Sequence, residues 1–307
     1  MLGMQYDIDE VVTQSIMTNM PSVLVEGIDD IGVYDKILNS DRKTSEVVAI
    51  ETIEGYTKGC ESVIEATIYL ENNNCNNRYN FIDYVVGIID KDVRDYRNEL
   101  PENALLFPLS AYSIESHFVN SDVLEYLLKN CTKGNSELFS EDLRNKIMGD
   151  IVDSMEILYI ASLEALKGAV TPGYATEFGY CQNYGRLKDV VLKTKLYAKK
   201  NELDEFASHL SLTSGLETLK KISKGKWLIS VFCEELERVV KNLPNECGTD
   251  PVSSCQMCIS QAENSCLYRL MDGLTHKSMK SIAQRITTSN ELDYIRERVN
   301  QMHSQVA

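Results

Sequence analysis

Three acidic residues stand where a divalent cation would be useful. Glu26 follows the apolar run Ser22-Val23-Leu24-Val25 and precedes Gly27, Ile28, Asp29 and Asp30. Asp90 and Asp92 close a second run, Gly87-Ile88-Ile89, with Lys91 between them. Crowded carboxylates raise each other's pKa, and a divalent ion relieves the repulsion. Mg2+ takes carboxylate oxygen and water and keeps positions for phosphate. Such a set suits phosphodiester cleavage, in which one or two metals polarise the phosphate and generate hydroxide. The competing explanations are local: Glu26 as a cap for the next helix, and Asp90 and Asp92 as the start of a loop with an Asx turn. The metal reading is preferred because strand-end acid clusters cost stability unless a cation relieves them. For Asp29 and Asp30, capping of the next helix is the expectation.

A second constellation is made of thiols. Cys247, Cys255, Cys258 and Cys266 are spaced C-x7-C-x2-C-x7-C among loop-forming residues such as Gly248, Pro251, Ser253 and Ser254. The central C-x2-C has the bite of a zinc knuckle, and a loop without its own core benefits from a metal staple. Structural Zn2+ is the preferred reading. Four thiolates also suit an iron–sulfur cluster, free thiols remain open, and His276 is a substitute ligand. Cys60, Cys75, Cys131, Cys181 and Cys233 are expected to serve packing.

Lysines form two groups. Lys188, Lys193, Lys195, Lys199 and Lys200 lie on or beside one predicted helix, where a solvated face is the expectation. Lys220, Lys221, Lys224 and Lys226 surround Gly225. Lys224 and Lys226 precede a helix and are candidates to steady developing negative charge in a transition state. Tyr174, Tyr180 and Tyr184 suit stacking on bases, and packing explains them equally well. His117 and His209 read as structural or solvated.

The elements that must position the acids follow from pattern. Strands are predicted at 22–27, 47–53, 83–90 and 104–109, and helices at 29–38 and 59–70, with a polar connection at 72–77. In the first helix Ile31, Tyr34 and Leu38 share a face; in the second Val63, Ala66, Thr67 and Leu70 do. This alternation predicts an α/β parallel sheet with flanking helices, and the acids fall at the strand carboxyl ends, where such sheets bind ligands. An extended backbone would point Asp90 and Asp92 to one side. After residue 120 the texture becomes helical, with helices at 141–167, 187–210, 227–243 and one or two over 278–302. The expected domains are 1–120, catalytic, and 121–307, mostly α-helical with the cysteine cluster at 247–266.

The whole chain has 307 residues, 43% of them hydrophobic and 25% charged, enough for a sizeable core. Its formal net charge of −15 repels nucleic acid at long range, so a nucleic-acid substrate requires metal ions or local basic patches. No apolar run of ~18 residues predicts a membrane span. Residues 1–9 do not read as a secretion signal, so the cytoplasm and reduced thiols are expected. There is no Walker loop, Rossmann glycine fingerprint or metalloprotease motif.

Glu26-Gly27 after a first strand and Asp90-Lys91-Asp92 after a third resemble the two signatures of the Toprim fold, found in topoisomerases, primases and overcoming-lysogenization-defect nucleases. The resemblance implies a glutamate acting as metal ligand or general acid/base and an aspartate pair that binds Mg2+. Tyr112-Ser113-Ile114-Glu115-Ser116-His117-Phe118 is similar to the Ile-Glu segment of stand-alone Toprim-like proteins with a helical second half, notably the effector nucleases of the PARIS anti-phage systems. That likeness implies Glu115 as an additional metal ligand. It further implies an inhibitory ABC-type ATPase partner, release by a phage trigger, self-association as a homodimer and cleavage of host tRNA, a lysine tRNA in particular. Residue chemistry by itself supports phosphodiester cleavage without separating RNA from DNA. The alternatives are a non-catalytic Toprim-fold interaction subunit, a DNA-cleaving Toprim nuclease and, last, strand passage or primer synthesis.

Overall fold

The computed structural model describes residues 6–74 and 78–306, with side chains described to residue 302. Its first elements are α1 (Ile8–Thr18), β1 (Ser22–Val25), α2 (Ile28–Leu38), β2 (Glu46–Ala49), α3 (Cys60–Asn74), β3 (Val85–Ile89), α4 (Arg94–Arg97) and β4 (Leu106–Pro108). Helices follow: α5 (Ser121–Cys131), α6 (Glu141–Asp153), α7 (Glu156–Val170), α8 (Val190–Ala198), α9 (Lys200–His209) and α10 (Leu216–Ile222). The last are α11 (Gly225–Glu246), α12 (Gln256–Ile259), α13 (His276–Ala283) and α14 (Asp293–Val306). The chain forms two compact units, one of residues up to Ser110 together with those from Thr287 on, the other of Ala111–Ile286. The expected boundary lay near residue 120 with everything beyond it helical domain; in the structure the segment from Thr287 belongs with the sheet.

In the first unit the strands form one parallel sheet in the order β2-β1-β3-β4. Every residue of β1 and β3 is buried, as continuous apolar runs require when helices cover both faces. Gly87 within β3 allows α3 to lie close, since a Cβ there would sit 2.7 Å from both Val63 Cγ1 and Thr67 Cγ2. Val63, Ala66, Thr67 and Leu70 are the buried face of α3, as their spacing predicts. In α2 the buried residues are Tyr34 and Ile37, whereas Ile31 and Leu38 are only partly covered. Residues 72–74, expected as a polar connection, complete α3.

The start of α2 differs from expectation. Its N-cap is Gly27, whose missing side chain cannot cap, and neither Asp29 nor Asp30 is the N-cap. Glu51 does that work from a short 3-10 turn after β2, accepting the Ile28 N–H at 2.8 Å. The final helix is tied to the same unit. Tyr294 Oη accepts the Ser110 N–H at 3.1 Å, and Arg296 Nε donates to the Ile37 carbonyl at 3.3 Å.

The second unit is helical and organised on α11, which packs against α6, α7, α10 and α13. Leu228, Phe232, Leu236, Val240 and Leu243 form its buried stripe. Residues 141–167 are two helices, with Ser154 and Met155 between α6 and α7, although the apolar stripe Leu143, Ile147, Ile151, Met155, Leu158 runs through the break and is buried throughout. Residues 187–210 likewise divide into a 3-10 turn, α8 and α9, and 278–302 spans the end of α13 and most of α14. Among the described residues no helix is long and apolar enough to cross a membrane.

Candidate functional site

Because β1 and β3 are neighbours, Glu26 and Asp90 leave the sheet side by side. Glu26 Oε1 accepts the Asp90 N–H at 2.8 Å, so its carboxylate does not cap α2. The Glu26 carbonyl accepts the Gly59 N–H at 2.9 Å, from a residue whose φ of +123° suits glycine. Burial pushes the Glu26 carboxyl up to about 7; the Asp90 N–H opposes this, Asp92 and Asp30 add to it, and Arg94 offsets part of it. A carboxyl titrating there can exchange a proton near neutrality or give it up to a cation.

Asp92 reaches this neighbourhood by a different backbone from the one expected. The strand ends at Ile89, and Asp92 has φ +48°, in the left-handed region, immediately before the turn into α4. The two-residue alternation of a strand therefore does not carry through to Asp92. Its charge nevertheless acts on Glu26.

Several neighbours of these acids were not singled out by pattern. Arg94 Nη2 donates to Cys60 Sγ at 2.7 Å and to Glu61 Oε1 at 2.8 Å. Burial pushes the Cys60 thiol up to about 11, with Glu26 adding to the shift, which keeps the sulfur protonated. Lys58 lies across Gly27, where a Cβ would fall 2.6 Å from Lys58 Cε, and its ammonium meets Asp29 at 2.8 Å. Tyr34, fully enclosed, is pushed well up by burial and then by Asp90, Asp30, Tyr294 and Glu26. The signal for Arg94 was its place two residues after Asp92; nothing local pointed to Cys60.

Glu115, Lys224 and Lys226 lie in the second unit. Glu115 belongs to a 3-10 helix, Ile114–Phe118, and accepts from Ser113 Oγ at 2.7 Å. Its carboxylate faces the start of α11, 4.0 Å from Lys226 Nζ, and Gly225 makes the room. Lys224 Nζ donates to the Tyr180 carbonyl at 3.2 Å. The structure thus brings Glu115 and Lys226 together within this unit; in the first, it joins Glu26 to the Asp90 backbone and sets Asp92 within electrostatic reach of Glu26, but among the described residues the three carboxylates do not converge as the four thiols do.

The other candidates resolve into packing and pairing. Lys188, Lys195, Lys199 and Lys200 pair with Glu234, Glu177, Glu164 and Asp204 at 2.9, 2.9, 2.9 and 3.0 Å. Tyr174 donates to buried Glu164, Tyr180 stacks on Trp227, and Tyr184 donates to Glu234. His117 is buried, and desolvation pushes its imidazole down to about 4. His276 bonds Glu237 through Nδ1 at 2.8 Å and is not among the converging thiols.

Cys247, Cys255, Cys258 and Cys266 place their sulfur atoms within 4.8 Å of one another, a group able to hold a metal ion. Among the described residues it is the group of three or more His, Cys, Asp or Glu ligand atoms that converges in this way. Although burial opposes it, N–H groups of Leu267 and Cys258 and the neighbouring thiols hold Cys255 below its ordinary pKa. The loop is anchored by Tyr268, which is wholly buried against Phe139 and whose hydroxyl lies 3.0 Å from the Ser253 carbonyl and 3.2 Å from that of Leu138, with its one proton shared between them. Of the remaining cysteines, Cys60, Cys131 and Cys233 are buried as expected, Cys181 is exposed rather than packed, and Cys75 lies outside the described residues.

No family model matches the chain, and no curated protein matches it.

Proposed function

We propose that the chain is a Mg2+-dependent nuclease of Toprim type, with Glu26, Asp90 and Asp92 as its metal-binding carboxylates. The observation that carries this reading is the 2.8 Å bond from Asp90 N–H to Glu26, which joins two strand ends into one acidic edge. The donor types suit the ion: Glu26 and Asp90 are hard oxygen ligands directly after strand ends, Asp92 follows in the turn, and the Glu26 carboxyl is raised by burial and by like charge. When bound, Mg2+ would supply charge stabilisation at the phosphoryl oxygens. Glu26 is suited to holding or passing a proton near neutral pH, and the Asp90 N–H fixes which of its oxygens faces the neighbouring strand end.

The resemblance to the PARIS effectors supplies the finer reading: cleavage of host tRNA in anti-phage defence, restraint by an inhibitory ABC-type ATPase, action as a homodimer and a cytoplasmic location. The catalytic assignment rests on the three acids of the first unit and does not depend on Glu115, Lys224 or Lys226. The test is incubation of the purified protein with Mg2+ and total cellular RNA, or with DNA, followed by sequencing of the cleavage ends. Glu26→Gln and Asp90→Asn should abolish cleavage while the fold is retained. Cleavage undiminished in both variants overturns the proposal, and cleavage of DNA alone overturns the tRNA reading.

The four thiols we assign to one structural Zn2+ ion. Four convergent sulfurs close the coordination shell and leave no position for a substrate. Metal analysis of the purified protein tests this, with one zinc per chain and no iron expected.

A further inference from the structure

We propose that Arg94 is a positioning residue for the carboxylate site, holding the turn that carries Asp92 against the start of α3. This rests on the reading of Glu26, Asp90 and Asp92 as metal ligands. Three chain segments meet around Glu26. Its side chain takes the Asp90 N–H and its carbonyl takes the Gly59 N–H. Those two contacts leave the segments at 59–61 and 90–94 each joined to Glu26 but not, through them, to each other. Arg94 supplies the missing link by donating through Nη2 to Cys60 Sγ at 2.7 Å and Glu61 Oε1 at 2.8 Å.

The link is placed where the backbone needs support. Asp92, two residues earlier, holds a left-handed φ of +48°, a conformation that persists in an aspartate when its surroundings determine it. Arg94 is 16% exposed while its partner Glu61 is 72% exposed, so the arginine is the fixed member of the pair. Its carbonyl is used as well, accepting the Glu99 N–H at 3.0 Å. One guanidinium nitrogen serves both a sulfur and a carboxylate from a planar, pre-organised head, which lysine does not reproduce.

Amide hydrogen exchange at Asp90 tests the link without requiring activity. In Arg94→Gln the Asp90 amide should exchange roughly tenfold faster, with Val86 and Ile88 in β3 unchanged. Cys60→Ala should give part of the same effect, and the double variant should exchange no faster than Arg94→Gln alone, since both changes break one connection. Arg94→Lys should recover part of the protection. On a nucleic-acid substrate, Arg94→Gln should lower kcat about tenfold or more while KM stays within about twofold. Wild-type exchange at Asp90 in Arg94→Gln overturns the proposal, as does full kcat in a variant whose Asp90 exchange has risen. A wild-type chain that cleaves nothing with Mg2+ overturns the nuclease reading instead, and the exchange measurement still decides whether Arg94 holds the turn.

Discussion

Glu26 and Asp90, 64 residues apart in sequence, are joined by a bond from the backbone of one to the side chain of the other. The arrangement leaves the Asp90 carboxylate uninvolved in that contact while committing one Glu26 oxygen to the sheet edge. Burying Glu26 in this way carries a cost that pH should reveal.

The Glu26 carboxyl titrates at about 7 in the folded chain against an ordinary 4.5. Between those values the folded state holds a proton that the unfolded chain has released. The contribution of this group to stability is therefore full below about 4.5 and is lost as pH rises through about 7. Glu26→Gln should abolish that slope and be more stable than wild type at pH ~8, by on the order of 2 kcal/mol. Urea denaturation across this pH range without Mg2+ measures it. A glutamine variant no more stable than wild type at the alkaline end contradicts the burial argument.

The thiol cluster should act as a staple for the second unit. Chelation, or Cys255→Ser, should lower the melting temperature by on the order of 10 °C by calorimetry. Cys181→Ser, at an exposed thiol, should change stability by less than about 0.5 kcal/mol. Equal melting of chelated and untreated protein would argue for four free thiols.

Two glycines should respond in opposite directions to alanine. At Gly225 a Cβ would fall 2.1 Å from Ser113 Oγ and 3.1 Å from Glu115 Cβ, so Gly225→Ala should destabilise by about 1–3 kcal/mol. At Gly32, within α2, a Cβ meets nothing within 4 Å. Gly32→Ala should stabilise by about 0.5–1 kcal/mol. Denaturant midpoints of the two variants decide, and the same sign in both would count against the packing described at the start of α11.

Lys195 in α8 and Lys199 between α8 and α9 separate a surface pair from a structural one. Glu164 is wholly buried and accepts from Tyr174, the Glu177 N–H and Lys199. Lys199→Met leaves that carboxylate without a cation and should cost about 3 kcal/mol. Lys195 and Glu177 are both substantially exposed, so Lys195→Met should matter by less than about 0.5 kcal/mol. Weakened RNA retention with unchanged stability in both variants would instead mark these lysines as a phosphate track.

The sheet and its acidic edge were legible because their determinants are local. The runs 22–25 and 85–89 are apolar, uninterrupted and ended by acids, and the resulting strands lie side by side. What escaped depends on pairs distant in sequence. Glu51 caps α2 from the neighbouring strand's end, 23 residues away, so Asp29 and Asp30 had looked like the caps. Arg94 meets Cys60 across 34 residues. The left-handed φ of Asp92 has no glycine to announce it, and the break at Ser154 interrupts a helix whose apolar period continues unbroken. Of the lysines beside α8, Lys188 and Lys195 are exposed as a solvated face requires, whereas Lys199 is drawn in by the buried carboxylate of Glu164, a partner 35 residues away that no local pattern announces.

The first unit is assembled from both arms of the chain, with α14 packed against α2 and bonded to Ser110 and Ile37. A ribosome must therefore translate all of residues 111–286 before the piece that completes the sheet unit exists. At ordinary elongation rates that delay is roughly ten seconds or more. The nascent polypeptide carries its acidic edge through this interval without α14, so maturation of that edge waits on residues far downstream of its own strands.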